Sequence, residues 1–222
     1  SDIAYADHHA GEFIAAMKRL NLWDDAIVVV VSDHGEEFGE HGGREHNCSV
    51  YEEQIRVPLL VKLPKVDPKG RRVKSVVSLM DVVPTLNRLL KVDDPIRRLG
   101  KSLLPLMFGP ESEDGGSAYS EWFDMTGNFR TQERRAVVLG SRKLIYRVNE
   151  RSYELYDLAS DPLETTSLIG DAEDEPALKA LLAAWDKRID EYFGAPTSVR
   201  RSPTEAYDEI YKRKKNLNAE TK

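Results

Sequence analysis

Three of the five histidines, His34, His41 and His46, crowd into one short stretch, and Asp33, Glu36, Glu37, Glu40 and Glu45 share it. Carboxylates and neutral imidazoles are the donors that hard and borderline divalent cations take. Asp33 and His34 are adjacent, and neighbouring side chains at a strand end point in different directions. Joint ligation therefore requires the backbone to turn, and Gly35 lets it do so at low cost. Two ligands do not complete a site, so the rest must come from other loops or from residues outside this sequence. The plainer reading of an acidic, histidine-bearing stretch is a solvated loop, and composition and spacing leave both readings open. Elsewhere the chemistry is thinner. His8 and His9 sit on a helical pattern and read as a surface or interface pair. Cys48 is flanked by Asn47, Ser49 and Val50, none of them a base, and reads as a plain thiol. The cluster Lys212, Arg213, Lys214 and Lys215 reads as a solvated face.

The acid–histidine stretch follows the strongest strand signal in the chain. Residues 26–31, Ala-Ile-Val-Val-Val-Val, form a continuous, mostly β-branched run of the kind that fills a covered, parallel sheet. Ligands in α/β proteins bind beyond the carboxyl ends of such strands, which is where Asp33 and His34 fall. A helix over 5–20 precedes it, with Ala6, Ala10, Phe13, Ile14 and Met17 on one apolar face. Val57 to Leu63 reads as a second strand and Val76 to Leu79 as a third. Asp81 reads as the cap of a helix that runs to Leu90, with Pro84 tolerated in its first turn.

The texture changes after residue 92. Residues 93–116 are rich in Pro and Gly and read as loop. Short strand signals follow at 118–122, 136–139, 144–148 and 153–158, with a hairpin turn at Gly140-Ser141. A helix from about Asp174 to Tyr192 closes this small antiparallel sheet. Trp122, Phe123 and Phe129 read as packing, with a sugar or aryl platform as the sharper alternative. Residues from Gly194 onward read as a charged tail.

A chain of 222 residues is one large domain or one domain with an appendage. Its 41% hydrophobic content excludes a wholly disordered chain. A net charge of −6 argues against a general nucleic-acid grip. One cysteine excludes an internal disulfide framework. No apolar run is long enough to span a bilayer. No signal peptide is read at Ser1, and without an initiator Met the chain reads as a processed form or a piece of a longer one.

Several segments, in order, resemble the C-terminal half of bacterial sulfatases of the alkaline phosphatase superfamily. They are Asp7 to Ile14, then Ser32-Asp33-His34-Gly35 through Glu40-His41-Gly42, then His46 and Tyr51-Glu52-Glu53-Gln54-Ile55-Arg56-Val57-Pro58-Leu59. Asp81-Val82-Val83-Pro84-Thr85-Leu86, Gly100-Lys101-Ser102-Leu103, Lys143-Leu144-Ile145, Glu154-Leu155-Tyr156-Asp157-Leu158 and Asp161-Pro162-Leu163-Glu164 continue the match. The resemblance implies an α/β chain, part of an alkaline-phosphatase-like α/β/α sandwich followed by a small antiparallel sheet packed on a C-terminal helix. The parts would be 1–110, from the catalytic domain, 111–193, the small sheet and helix, and the tail 194–222. It implies metal-dependent hydrolysis of a sulfate ester, small molecule or glycan. Asp33 and His34 would be metal ligands, with His46 as catalytic and substrate contact and His41 beside it in contact with substrate or shaping the loop. It implies one divalent cation, Ca2+, with Mn2+ or Zn2+ as alternatives because His34 stands where many sulfatases have Asn.

The family's nucleophile, a formylglycine made from a C-x-P-S-R cysteine, is not in this sequence and belongs to an N-terminal part, as does the rest of the metal site. The missing N-terminal half of the same domain is therefore an expected partner, and the chain alone is expected to be inactive. No nucleic acid and no membrane span are expected. The resemblance is compatible with a periplasmic or secreted protein. The alternatives are a phosphodiesterase or phosphonate monoester hydrolase of the same superfamily, or a non-catalytic binding module.

Overall fold

A computed structural model describes residues 2–46, 49–65, 70–126 and 129–194. Cys48, the basic cluster 212–215, the tail from 195 onward and the Phe129 side chain lie outside the described residues. The chain divides into two compact units whose boundaries do not follow chain order. One comprises 1–35 and 56–72, the other 36–55 and 73–222.

The first unit holds helix α1, Asp2–Arg19, and strands β1, Val28–Val31, and β2, Leu59–Lys62. The two strands pair antiparallel, Val28 opposite Lys62 and Val31 opposite Leu59, where the sequence predicts a parallel arrangement. A β-branched run encodes strand and burial but not strand direction, which the connection sets. Burial differs too. Val30 and Leu60 are paired and 52% and 58% exposed. α1 contains no buried residue, and Phe13 on its apolar stripe is exposed. The Lys62 ammonium fastens the turn after α1 by donating to the carbonyls of Trp23 and Ala26. His8 and His9 lie exposed on α1, both beside Glu12. Among the described residues no helix is long and apolar enough to cross a membrane.

The second unit is built on a four-stranded antiparallel sheet in the order β3 (Ser117–Thr126), β4 (Phe129–Leu139), β5 (Arg142–Arg147), β6 (Ser152–Asp157). Gly140, at φ 56°, turns the β4–β5 hairpin between the paired Leu139 and Arg142. Successive residues of these strands face opposite ways. Val137, Leu144 and Leu155 pack on α5, Glu175–Phe193, through Leu178, Leu182 and Ile189. Their neighbours Ala136, Ile145 and Tyr156 pack on Val50 and Tyr51. One face of the sheet thus carries the C-terminal helix, and the other carries the segment that follows the acid–histidine stretch. That segment includes the short helix α2, Glu52–Ile55. Trp122 packs against the same cluster as Tyr51, which is a core role.

Residues 76–79 do not form the expected strand. Ser78 Oγ accepts from the Met80 amide and the Asp81 carboxylate accepts from the Ser78 amide, a capping box that starts a one-turn 3-10 helix, Leu79–Asp81. Helix α3, Val82–Leu90, continues it. Asp81 is buried, and its carboxylate also takes the Lys101 amide at 2.8 Å. Thr85 Oγ1 donates to the Asp81 carbonyl and accepts from the Leu103 amide. A Cβ on Gly100 would lie 1.9 Å from the Met80 carbonyl oxygen. The Asp-x-x-Pro-Thr-Leu and Gly-x-Ser-Leu segments are therefore two halves of one clasp. A helix unforeseen in the sequence, α4 at Leu104–Phe108, follows it, with Pro105 in the first turn.

Candidate functional site

Asp33 and His34 follow β1 directly. Ser32 Oγ donates to the His34 carbonyl, and the His34 amide donates to Asp33 Oδ1 at 3.1 Å. The His34 ring lies with Nδ1 2.9 Å from the Gly35 carbonyl oxygen. A carbonyl only accepts, so Nδ1 carries a proton. Nε2 is 3.7 Å from Asp33 Oδ2. A hydrogen bond from its own backbone amide, then the charge of His34, hold the exposed Asp33 carboxyl below the usual range, so it is ionised at neutral pH. One carboxylate oxygen beside an imidazole whose other ring nitrogen is tied to a carbonyl is a donor set of the kind that metal-ligating histidines use. These two residues are candidate ligands of a cation and by themselves do not complete its site.

In the second unit, residues 36–46 form a closed loop. The Glu37 amide donates to the Glu45 carbonyl and the Glu45 amide to the Glu37 carbonyl, at 2.8 and 2.9 Å. Glu45 takes the left-handed φ of 66°, which the double bridge holds in place. The Glu37 side chain turns into the ring and is buried. Its carboxylate accepts from the amides of His41 and Gly43 and from Gln54 Nε2. A Cβ on Gly43 would lie 2.6 Å from a Glu37 carboxylate oxygen, so any larger residue there would push that carboxylate aside. At the mouth of the loop the Glu36 carboxylate lies 2.7 Å from His46 Nδ1. That contact fixes the ring's rotation and puts a proton on Nδ1.

His41, at the apex, is turned inward. Its Nδ1 lies 2.6 Å from Glu53 of α2 and its Nε2 lies 3.2 Å from the Glu164 carbonyl. Of the two roles expected for His41, loop shaping is the one these bonds serve. The loop sits on a charged underlayer. Lys143 of β5, fully buried, pairs with Glu52 at 3.1 Å and with Glu164 at 2.7 Å. The Glu52 amide donates to the Glu164 carboxylate. Tyr51 donates to Glu154, which also pairs with Arg147. Burial pushes the Glu164 carboxyl up, against the pull of Lys143.

The structure thus sorts the acid–histidine stretch. Asp33 and His34 are together in the first unit. Glu36 and His46 are together in the second. Glu37 and His41 are built into the scaffold. Sequence reasoning gave no individual role to Glu36, Glu53 or Glu164. Their signal was membership of the segments Glu36-Glu37, Tyr51-Glu52-Glu53 and Asp161-Pro162-Leu163-Glu164.

Comparison with known proteins finds one matching family model, N-sulphoglucosamine sulphohydrolase, C-terminal, over residues 39–191. Arylsulfatase K of Xenopus laevis is 30% identical over 174 residues, which are 75% of this chain and 32% of that protein. The N-acetylglucosamine-6-O-sulfatase of Bacteroides thetaiotaomicron is 25% identical over 190 residues, 84% of this chain and 34% of that protein. A solved structure described as a complex with its substrate D-glucosamine-2-N,6-O-disulfate superposes with a TM-score of 0.74 at 26% identity, covering 85% of this chain and 40% of that one. The phosphonate monoester hydrolase of Agrobacterium radiobacter shares the fold, with a TM-score of 0.66 at 24% identity over 86% of this chain and 39% of that one.

Proposed function

This chain belongs to the sulfatases, as part of the C-terminal portion of their alkaline-phosphatase-like fold, and from that premise we propose that the whole protein hydrolyses a sulfate ester. The observation that carries the reading is the Asp33–His34 pair, with an ionised carboxylate oxygen 3.7 Å from Nε2 of an imidazole that its Gly35 contact orients. The family implies a metal ion, and these two side chains would hold it. A bound divalent cation supplies Lewis-acid polarisation of the sulfate and lowers the pKa of the nucleophile. Calcium is the proposed ion, with manganese or zinc as the alternatives that an imidazole ligand favours.

His46 is the proposed contact to the sulfate or the leaving oxygen. With Nδ1 held on Glu36, its Nε2 acts as a donor when the ring is protonated. It can stabilise charge that develops on oxygen or deliver a proton to the departing group. A sulfated sugar is the proposed substrate class, supported by the relatives acting on N-acetylglucosamine-6-O-sulfate and D-glucosamine-2-N,6-O-disulfate. The nucleophile and the remaining ligands would come from residues outside this sequence. The exposed Val30–Leu60 pair and the unburied α1 support a further part of the protein covering the first unit.

Parallel rates of the whole protein on an aryl sulfate and an aryl phosphate test the reading. Sulfate turnover that disappears on chelation and returns with one divalent ion is expected. Equal or faster phosphate turnover would favour a phosphonate or phosphate monoester hydrolase, the reading that the fold shared with Agrobacterium radiobacter keeps open. No turnover of either would favour a binding module.

A further inference from the structure

His41 is held on both ring nitrogens by groups that accept. Nδ1 faces the Glu53 carboxylate at 2.6 Å and Nε2 faces the Glu164 carbonyl at 3.2 Å. A neutral imidazole has one N–H and can serve only one of them. Its other nitrogen would aim a lone pair at an oxygen. The ring also stacks on Tyr51, with centroids 3.6 Å and planes 7° apart. The charged groups that face it are nearly all carboxylates: Glu37 and Glu40 of its own loop, Glu53 of α2, and Asp161 and Glu164 of the turn after β6. Lys143 of β5 stands behind, already paired with Glu52 and Glu164.

We propose that His41 is a positioning residue that works as an imidazolium, stapling the apex of the 37–45 loop to α2 and to the turn after β6, and so fixing where that loop presents His46. The role rests on the reading of His46 as the anion contact. The alternative use of Glu37, His41 and Glu53 as metal ligands does not fit, because both His41 nitrogens already face protein acceptors and the Glu37 carboxylate already accepts from two amides and the Gln54 side chain. Burial alone would lower the proton affinity of His41. The Glu53 hydrogen bond, the Glu164 carbonyl and the charges of both carboxylates outweigh it and raise it. A ring whose pKa is raised by folding contributes stability that is complete below the free histidine value of about 6.5. That contribution is lost as pH rises through the raised native value.

The test uses the whole protein labelled with 15N histidine, followed by long-range 1H–15N spectra from about pH 6 to 9, with His41 assigned by its loss in His41→Gln. Both His41 nitrogens are expected in the protonated state at neutral pH, converting to one protonated nitrogen only at higher pH. A singly protonated His41 ring at neutral pH overturns the proposal. Glu53→Gln keeps a hydrogen-bond partner and removes its charge. The His41 transition is expected to move down in pH, and kcat/KM on an aryl sulfate to fall about tenfold at pH 8 while changing little at pH 6. An unchanged pH dependence of kcat/KM in Glu53→Gln would overturn the positioning role. The doubly protonated spectrum in a protein inert towards sulfate esters would support the staple and overturn only the reading of His46.

Discussion

Two acid–histidine pairs lie within a few residues of each other and have opposite surroundings. Asp33 and His34 are 87% and 43% exposed at their side chains. His41 and Glu53 are 16% and 13% exposed, and both nitrogens of that ring face protein acceptors. The residue types are the same and the exposure is not. A site that takes a cation or an anion must keep binding capacity unspent within the protein. A site that holds a loop must spend it, because an unpaired buried polar group costs more than its bond returns. The comparison predicts that substitutions in the second set act first on stability and loop position, and those in the first set on activity alone.

The largest expected effect is in the buried set. Lys143→Met leaves the buried Glu164 carboxylate without its cation, and the expected loss is about 3–5 kcal/mol in denaturant unfolding of the whole protein. Glu164 would then take up a proton in the folded state at a still higher pKa. The variant is therefore expected to regain part of the loss as pH falls, because a raised native pKa favours the fold on the acid side. Adding Glu164→Gln should recover part of the loss at neutral pH. A Lys143→Met loss below about 1 kcal/mol would erase the distinction between the two sets.

Asp33→Ala is the counterpart. The expected fall in kcat/KM is about 10²–10³-fold, with the loss of a charge that acts on the reacting group. Stability should stay within about 0.5 kcal/mol, because the side chain is exposed. Full metal-dependent activity in this variant would remove Asp33 from the proposed site.

Much of the second unit was legible because its signals are local. Short apolar and aromatic runs marked the strands, Gly140-Ser141 marked the hairpin, and Asp174 marked the start of α5, although the Asp174 carboxylate pairs with Arg142 and does not cap the helix. The direction of the β1–β2 pairing was not legible, because direction follows from the connection and not from the valines. Residues 76–79 misread for a related reason: the capping box of Ser78 and Asp81 overrode a short apolar run. In the candidate site the residue types were legible and their division was not. Whether a glutamate turns inward to meet His41 or outward to meet His46 depends on partners far along the chain, such as Glu164, 123 positions from His41, and Lys143, 91 positions from Glu52.

Gly100→Ala sharpens the comparison from outside the acid–histidine stretch. Its added carbon would overlap the Met80 carbonyl, a backbone group that cannot swing aside, and the clasp of Asp81 and Thr85 would have to open. The expected loss is about 1–3 kcal/mol, seen as a lower thermal midpoint. The metal affinity measured by titration calorimetry should be unchanged, since the clasp contributes no proposed ligand.

The smallest expected effect lies at the boundary of the two classes. Glu36 and His46 are 42% and 41% exposed at their side chains, so this pair resembles the Asp33 set in exposure, yet its 2.7 Å contact resembles the His41 set in satisfaction. Exposure decides the energetic side, since water replaces a lost partner at such a position and stability should move by less than about 0.5 kcal/mol in Glu36→Ala. The contact decides the catalytic side, since without it the His46 ring loses its hold on Nδ1 and Nε2 spends less time aimed at its target. A fall in kcat/KM of about tenfold is expected, the scale of a lost orienting partner behind a functional imidazole. The fall should appear with an aryl sulfate of poor leaving group more than with an activated one, because a proton delivered by His46 matters most where the departing oxygen is basic. An equal loss on both substrates would mean that Glu36 holds the loop and not the ring, and would move the pair into the structural class with His41.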